Sequence, residues 1–165
     1  MREDMVGGET FDMYGMSKLT SETMLKFCNV KSQIMRPFTI YGPGQSLDYP
    51  LPAIIQRAKN GECSVWGSGT QVRDWIHITD ALRVFDYLLH NNEPKILNIG
   101  TGIPLTFKEV AQIIYKEIHG EFSLNLKTQT DQPEGAGYRY ADITLLKSLG
   151  LEPRISLAEG IRTMI

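Results

Sequence analysis

The stretch DMYGMSKLTSETMLKFCNVKSQIMRP, residues 12–37, decides the fold class because a helical pattern runs directly into a short apolar strand. From Asp12 to about Cys28 the spacing predicts an amphipathic helix with one buried stripe. The residues at that spacing are Met13, Met16, Leu19, Thr20, Met24 and Phe27. SQIMRP, which Pro37 ends, predicts a buried strand. A helix followed at once by such a strand is half of a β-α-β unit, so the stretch predicts an α/β fold.

Four segments extend this alternation towards the middle of the chain. FTIYGPGQSLDYPLP, residues 38–52, is rich in Gly and Pro and predicts a long ordered loop at a site. AIIQRAKNG, residues 53–61, predicts a short helix that ends at Gly61. CSVWGSGTQVRDWIH, residues 63–77, predicts two short strands around a glycine turn. ITDALRVFDYLLH, residues 78–90, has helical spacing again.

The last part of the chain predicts two more strands and three helices. KILNIGTG, residues 95–102, is an apolar strand that ends in glycines, and FSLNLK, residues 122–127, alternates like a half-exposed strand. The predicted helix starts are a capping box of Thr106 with Glu109 for a helix to about His119, Asp142 for a helix to Leu149, and a capping box of Ser156 with Glu159. We find no internal repeat and no flexible linker.

Composition and charge narrow the class of protein. The chain has 165 residues, of which 42% are hydrophobic, so it is long enough for one compact domain with its own core. A formal net charge of −2 from interspersed charges gives no general attraction to nucleic acid or anionic membranes. Cys28 and Cys63 could in principle pair, but we interpret them as buried thiols in a reducing compartment. MREDMVGGETF lacks the features of a signal peptide, and no apolar run reaches membrane-spanning length, so we expect a cytoplasmic protein.

Tyr14 and Lys18 are the first candidate catalytic residues. Their i, i+4 spacing places both side chains on one face of the predicted helix. A phenol is a poor base at neutral pH unless a nearby cation favours its ionised form, which the ammonium group of a lysine does. Such a pair can remove a proton from a substrate hydroxyl while hydride leaves for a nicotinamide. Since so short a motif also occurs by chance, the pair needs support from the rest of the chain.

Five blocks of sequence supply that support, in order: YGMSK (14–18), MRPFTIYGPGQ (35–45), VWGSGTQVRDWIHITDA (65–81), LNIGTGIPLTFKEVA (97–111) and PEGAGYRYADITLLKSLGLEP (133–153). Together they resemble the C-terminal half of the extended short-chain dehydrogenases, the NAD-dependent nucleotide-sugar epimerases and dehydratases. The resemblance begins near Phe11 and implies the C-terminal part of a Rossmann-type sheet joined to a small α/β substrate-binding domain. It also implies NAD as the cofactor and a nucleotide sugar as the substrate.

The resemblance implies roles for individual residues. Tyr14 and Lys18 would be catalytic, and with Pro37 they would contact the cofactor. Arg73 would bind the diphosphate of the substrate, which suits a planar guanidinium, although a surface arginine is the alternative. The remaining implied substrate contacts are Thr39, Tyr41, Val65 and Gln132.

Several of these positions depart from the family pattern. Thr39 stands where many members have asparagine, and Gln132 of the stretch QPEG stands where many have a basic residue. Arg139 could replace that charge, but we interpret it as a solvent-facing side chain. Val65 could equally be a core residue, and Asp74 and His77 are expected to brace the local turn. His77, His90 and His119 lack the spacing of a metal site, so no metal is expected.

The sequence lacks the strand, glycine-rich turn and helix with which a dinucleotide-binding domain begins. We therefore expect residues 1–37 to be a remnant of the cofactor-binding domain and residues 38–165 to be the substrate-binding domain, whose strand near 95–100 returns to the first sheet. Three interpretations stay open. The chain is half of a split or truncated enzyme, a non-catalytic nucleotide-sugar-binding module, or a degenerate oligomeric remnant.

The same lack predicts the partners of the chain. The first interpretation implies a complementing N-terminal chain, without which no turnover is expected. Strands that would be covered on both faces in a complete sheet leave apolar surface open, so self-association into a homo-oligomer is expected. Neither nucleic acid nor a membrane is an expected partner.

Overall fold

The structure is a computed structural model, and it describes residues 1–4, 13–132, 135 and 137–165. The predicted helix start at Asp12, and Pro133 and Glu134 of QPEG, lie outside these residues. The described elements, in chain order, are α1 (Met13–Phe27), β1 (Ile34–Pro37), β2 (Thr39–Tyr41), α2 (Pro50–Lys59), β3 (Ser64–Trp66), β4 (Val72–Arg73), β5 (Trp75–His77), α3 (Ile78–His90), β6 (Ile96–Ile99), β7 (Leu105–Thr106), α4 (Phe107–His119), β8 (Lys127–Gln129), α5 (Thr144–Ser148) and α6 (Leu157–Arg162).

Helix α1 forms as its spacing predicts, but its buried stripe does not. None of its described side chains is buried, and Met13, Met24 and Phe27 are among its exposed apolar residues. The prediction of a buried stripe is therefore wrong for this structure. The physical reason is that apolar spacing establishes a helix with an apolar face, whereas burial requires a second element packed against that face.

Strands β1 and β6 form a parallel pair, with Ile34 opposite Ile96 and Pro37 opposite Ile99. Their connection contains α2, α3 and the strands between them. Side chains such as Leu97 and Ile99 are fully buried, as expected for a parallel strand covered by helices. The predicted strands at SQIMRP and KILNIG are confirmed, and this pair provides the parallel part of the α/β fold.

The segment predicted as a long loop at residues 38–52 is only partly a loop. It contains β2, which pairs in parallel with β5 so that Thr39 lies opposite Trp75 and Tyr41 opposite His77. Helix α2 then begins at Pro50, because a proline in the first turn has no N–H to leave unsatisfied and fixes a helical φ. The loop proper is the stretch between these two elements.

The prediction of two strands around a turn at residues 63–77 is also wrong. Three strands form there, and each pairs outside the segment: β3 with β8 in parallel, β4 with β7 antiparallel and β5 with β2. The glycines do turn the chain, since Gly67 and Gly69 have φ values of 63° and 70°. Partners distant in sequence, rather than the local turn, determine which strands pair.

The strand predicted at residues 122–127 lies later, at β8. Its position is fixed by β3, because the Lys127 N–H donates to the Cys63 carbonyl at 2.9 Å and the Gly67 N–H donates to the Gln129 carbonyl at 2.8 Å. Leu124, in the middle of the predicted strand, is fully exposed. Alternation of apolar residues was therefore a poor guide to this strand.

Both predicted capping boxes are confirmed. In the first, the Glu109 N–H donates to Thr106 Oγ1 at 3.2 Å and the Glu109 carboxylate accepts from the Thr106 N–H at 2.7 Å. Ser156 and Glu159 make the same exchange at the start of α6. The Asp142 carboxylate accepts from the Thr144 N–H at 2.9 Å, but Ile143, not Asp142, is the N-cap residue of α5.

The buried apolar side chains form two clusters. The first lies between α2, α4, α6 and β3 and includes Leu51, Val65, Val110, Ile114 and Ile161. Cys63 is buried in this cluster, but Cys28 is exposed, so the expectation of two buried thiols is wrong for Cys28. The second lies between β6, α3 and α5 and includes Val84, Leu88, Leu97, Ile99 and Leu146. Within the described part of the chain, no helix has the combination of length and hydrophobicity that a membrane crossing needs.

Candidate functional site

Tyr14 and Lys18 lie one turn apart on α1, with Lys18 Nζ 5.3 Å from the centroid of the Tyr14 ring. The Tyr14 side chain is 72% exposed, so its phenol is open to a ligand. The i, i+4 spacing does place the ammonium group beside the ring. The structure thus brings the two predicted catalytic residues together.

An ion pair ties α1 to β1. Arg36 Nε and Nη2 donate to the Glu22 carboxylate at 2.9 and 2.7 Å. These hydrogen bonds lower the pKa of Glu22. The ion pair therefore holds α1 beside Arg36, the next-to-last residue of β1.

Pro37 and Thr39 lie where β1 ends and β2 begins. Pro37 is the exposed last residue of β1, and Thr39 is half-buried at the start of β2. The Thr39 N–H donates to the Asp74 carbonyl at 2.9 Å. The structure thus brings Thr39 next to the segment that carries Arg73.

Tyr41 and Val65 are core residues in this structure, 1% and 0% exposed. The Tyr41 ring contacts the His77 ring edge to face, with centroids 5.4 Å apart, and the phenol packs against Gly160 so closely that a Cβ there would overlap it. Burial raises the pKa of Tyr41. The structure therefore places both side chains away from solvent, with Val65 as part of the first cluster.

Arg73 has a half-buried side chain at the end of β4. Its Nη1 donates to the Val72 carbonyl at 2.8 Å, and its guanidinium lies 5.6 Å from the centroid of the Phe107 ring. Burial, and then the charge of Arg139, lowers the pKa of Arg73. Gly135 lies close by, since a Cβ on it would be 3.2 Å from Arg73 Nη2. Phe107 and the backbone around it hold the guanidinium in a defined position.

Gln132 is half-buried in the loop after β8. Its side chain donates a long hydrogen bond to the Asp131 carboxylate at 3.4 Å, and its backbone N–H donates to the Gln129 carbonyl at 3.2 Å. Gln132 is therefore held by its immediate neighbours in the chain.

Asp74, which we expected to brace a local turn, connects more distant segments. Its fully buried carboxylate accepts hydrogen bonds from the Thr101 N–H at 2.7 Å, the Thr101 hydroxyl at 2.6 Å, the Gly102 N–H at 2.9 Å and the Ala141 N–H at 3.0 Å. Gly100 lies against it, since a Cβ there would be 2.6 Å from Asp74 Oδ2. The sequence shows an acidic residue next to Arg73 and, separately, glycines within residues 100–102. No local pattern indicates that these two segments are in contact.

His77 is a buried N-cap residue for α3. Its Nδ1 accepts from the Thr79 N–H at 3.3 Å, and its Nε2 lies 3.2 Å from Thr163 Oγ1. These contacts suit a neutral ring that donates through Nε2 to the threonine. Burial lowers the pKa of His77 against the opposing effect of Asp80. His77 thus joins α3 to the end of α6 and has a structural role.

Two surface cavities, of about 690 and 240 Å³, lie elsewhere. The larger runs along α3 and includes Leu82, Tyr87 and Leu151. The smaller lies between the loop after β2 and helix α2 and includes Pro43 and Lys59. Neither is lined by Tyr14, Thr39 or Arg73. Among the described residues, no three His, Cys, Asp or Glu side chains gather as a metal site would require.

The profile of the NAD dependent epimerase/dehydratase family matches residues 2–100. The low-salt glycan biosynthesis protein Agl12 of Haloferax volcanii is 33% identical over 135 residues, which cover 80% of this chain and 43% of that protein.

Two solved structures are similar throughout this chain. MoeE5 in complex with UDP-glucuronic acid and NAD superposes with a TM-score of 0.80 at 28% identity, covering 99% of this chain and 57% of that one. UDP-glucose 4-epimerase from Thermotoga maritima, solved with UDP-glucose, superposes with a TM-score of 0.79 at 25% identity, covering 92% of this chain and 51% of that one. The chain thus spans about half the length of these relatives.

Proposed function

Because the chain belongs to the NAD dependent epimerase/dehydratase family, we propose that it is the nucleotide-sugar-binding, catalytic-tyrosine-bearing half of such an enzyme. Its α/β fold, with parallel strand pairs, is part of the Rossmann-type fold of extended short-chain dehydrogenases, and the family is NAD-dependent. The observation that carries the proposal is the geometry of Arg73, a half-buried guanidinium fixed over Phe107 beside a second arginine.

Arg73 is proposed to bind the diphosphate of the nucleotide sugar. A guanidinium that is partly removed from water binds phosphate oxygens more strongly than an exposed one, because less solvent competes for its N–H groups. Thr39 on β2 donates its N–H to the carbonyl of Asp74, the residue after Arg73. Its hydroxyl would contact the sugar. Both MoeE5 and the Thermotoga epimerase were solved with UDP sugars, which supports this choice of ligand class.

Tyr14 is proposed as the general base or acid, with Lys18 and Pro37 beside it at the cofactor. NAD, when bound, supplies a hydride acceptor for a carbon of the sugar. The phenolate of Tyr14 would take the proton from the hydroxyl on that carbon, and the Lys18 ammonium, 5.3 Å from the ring centroid, would stabilise the phenolate. All three side chains are exposed, which leaves them accessible to the nicotinamide and its ribose.

The division of the chain follows the same proposal. Residues 1–37 would belong to the cofactor-binding domain and residues 38–165 to the substrate-binding domain. The parallel pairing of β1 with β6 supports a return of the chain to the first domain at residues 96–99.

Isothermal titration with UDP-, GDP- and dTDP-sugars and with NAD tests the binding half of the proposal. We expect one nucleotide sugar to bind, and Arg73→Ala to weaken it at least tenfold, as loss of a hydrogen bond to a charged group does. Arg154→Ala, which removes an exposed arginine elsewhere, is the control and should bind like the wild type. If the wild-type protein binds no nucleotide sugar, the proposed function is wrong.

The catalytic half is tested by Tyr14→Phe, which removes the hydroxyl and keeps the ring. Turnover of the nucleotide sugar by this chain together with NAD and a complementing cofactor-binding half, followed by separation of the substrate and product sugars, should fall by about 10²–10⁴-fold, the usual contribution of a general base. The affinity for the nucleotide sugar should fall less than in Arg73→Ala, because Arg73 is the proposed ligand of the diphosphate. A variant that keeps full turnover would exclude Tyr14 from the chemistry.

A further inference from the structure

The strand pair of β1 and β6 has a helix on each face. The Arg36 side chain bonds to Glu22 of α1. The neighbouring Met35 side chain packs against the second cluster, to which α3 contributes Val84 and Leu88. Because neighbouring side chains of a strand point to opposite faces of its sheet, α1 and α3 lie on opposite faces of this pair. Such a layering is typical of an open α/β sheet.

This small sheet has a second edge, on the side of β1 away from β6. The Ile34 N–H donates to the Lys95 carbonyl at 2.8 Å, and the Phe38 N–H donates to the Ile99 carbonyl at 2.9 Å. Since alternate residues of a parallel strand bond to the same neighbour, the N–H and carbonyl of Met35 point to the second edge. Among the described strands, only β6 pairs with β1. This edge can therefore take one more strand.

Helix α3 has one covered flank and one exposed flank. On the covered flank, the Asp80 carboxylate accepts from the Arg154 and Ile155 N–H groups at 2.9 Å each. Arg83 Nη1 on the same flank donates to the Glu152 carbonyl at 3.4 Å. These partners follow α5, which packs against β6. The covered flank therefore faces the β6 side of the sheet, and the exposed flank faces the side of the second edge of β1.

The exposed flank of α3 carries an apolar stripe. Leu82, Phe85 and Leu89 are exposed, and their i, i+3, i+7 spacing places them on one side of the helix. Three side chains offer far less surface than the roughly 800 Å² per partner that a stable interface buries. An occupant of this stripe must therefore cover neighbouring surface as well, and the second edge of β1 lies on the same side.

We propose that the exposed flank of α3 and the second edge of β1 form one docking surface for a complementing cofactor-binding half. That partner would add a parallel strand beside β1 and pack an apolar helix face against Leu82, Phe85 and Leu89. This inference rests on the proposed function. The length of the relatives favours this occupant over a second copy, because the chain covers 57% of MoeE5 and 51% of the Thermotoga epimerase, which leaves a region of similar size to be supplied.

The test is co-expression of the tagged chain with the part of MoeE5 that this chain does not cover, followed by purification on the tag. We expect the two to copurify. Leu82→Asp and Leu89→Asp, which would bury a charge in the interface, should each lower the recovery of the MoeE5 part at least tenfold. Leu124→Asp, at a fully exposed leucine outside the helices and strands, is the matched control and should recover as much as the wild type.

The variants can be compared directly, because exposed leucines contribute little to folding and the unfolding midpoints should match the wild type. If the wild type recovers none of the MoeE5 part, or if both α3 variants recover as much as the wild type, the docking surface is overturned. Light scattering of the chain alone is a second check. If Leu89→Asp converts a dimer into a monomer, the flank contacts a second copy and the inference is overturned.

These outcomes are separate from those that decide the proposed function. Binding of a nucleotide sugar is measured on the chain alone, and it does not depend on the MoeE5 part. If the chain binds a nucleotide sugar but fails the copurification test, the docking surface is overturned while the proposed function stands. If it binds no nucleotide sugar, the proposed function is wrong, and the inference that rests on it is overturned too.

Discussion

Helices α1 and α4 have similar lengths, of 15 and 13 residues, yet they lie in opposite environments. Helix α1 has no buried side chain among its described residues, whereas α4 buries Val110, Ala111 and Ile114 and is capped by a complete capping box. The proposed catalytic pair lies on the exposed helix, and the proposed phosphate-binding Arg73 lies beside Phe107, the first residue of the buried one. The comparison teaches that spacing predicts a helix, while the elements around it decide whether it is stabilised by burial.

We expect the largest effect on stability at Asp74, which connects distant segments of the packed region. Asp74→Ala leaves the N–H groups of Thr101, Gly102 and Ala141 without their acceptor. At about 1–3 kcal/mol for each buried unsatisfied group, the free energy of unfolding should fall by about 4 kcal/mol. Chemical denaturation measures this, with the exposed Asp86→Ala as the control. A loss below about 1 kcal/mol would contradict the bracing role of Asp74.

The next prediction compares the two helices directly. Ile114→Ala empties a fully buried site in α4 and should lower the free energy of unfolding by about 2–5 kcal/mol. Met24→Ala in α1, where the side chain is 61% exposed, should change it by less than about 0.5 kcal/mol. Denaturation curves of both variants give the result. An equally large loss for Met24→Ala would show that α1 is covered in solution, as the expected self-association requires.

Removal of a capping hydroxyl should change stability less than removal of a buried side chain. Thr106→Ala removes the hydroxyl that caps α4, and the expected loss is about 1 kcal/mol. Thr23→Ala in α1 removes a hydroxyl that donates only to the Leu19 carbonyl within the helix, so it should change stability by less than about 0.5 kcal/mol. Thermal unfolding of the two variants compares them. Equal losses would mean that the capping box does not stabilise α4.

The smallest expected effect is a dependence of the free energy of unfolding on pH. Burial lowers the pKa of His77 below the ordinary value of 6.5, so the unfolded chain binds more protons than the folded one just below that pH. Stability should therefore fall as the pH drops below about 6.5. Chemical denaturation at pH 7.5 and 5.5 should show this loss of stability in the wild type. The difference in the free energy of unfolding between the two pH values should be smaller in His77→Gln. An unchanged difference in that variant would assign the effect to other groups.

Most of the fold could be predicted from local patterns. The positions of α1, β1, α3, β6 and α4 follow from periodicity and caps, because these signals lie within one element. Strand pairing could not be predicted in the same way. Residues 63–77 form three strands because each finds a partner distant in sequence, and β8 is positioned by β3 rather than by its own alternation.

In the candidate site, too, local features could be predicted from the sequence and contacts between distant residues could not. Tyr14, Lys18 and Arg73 were singled out because their residue types and spacing indicate chemistry, and they lie where that chemistry is accessible or held in place. The proximity of Arg139 to Arg73 depends on the bridge between Val72 and Tyr138, residues 66 positions apart, which no local pattern shows. The same holds for the contacts of Asp74 with Thr101 and Ala141.

The parallel pairing of β1 with β6 also sets an order of events during synthesis. Ile34 and its partner Ile96 are 62 positions apart, so β1 is made long before β6, the strand with which it pairs in this structure. At roughly 5–20 residues per second, the ribosome takes about 3–12 s to reach the partner. During that time the side of β1 that β6 covers, with Ile34 and Met35, lacks this partner, whereas α2 and α3 can already form. The strand that carries Pro37 to the proposed cofactor site is therefore a segment that chaperones would meet early.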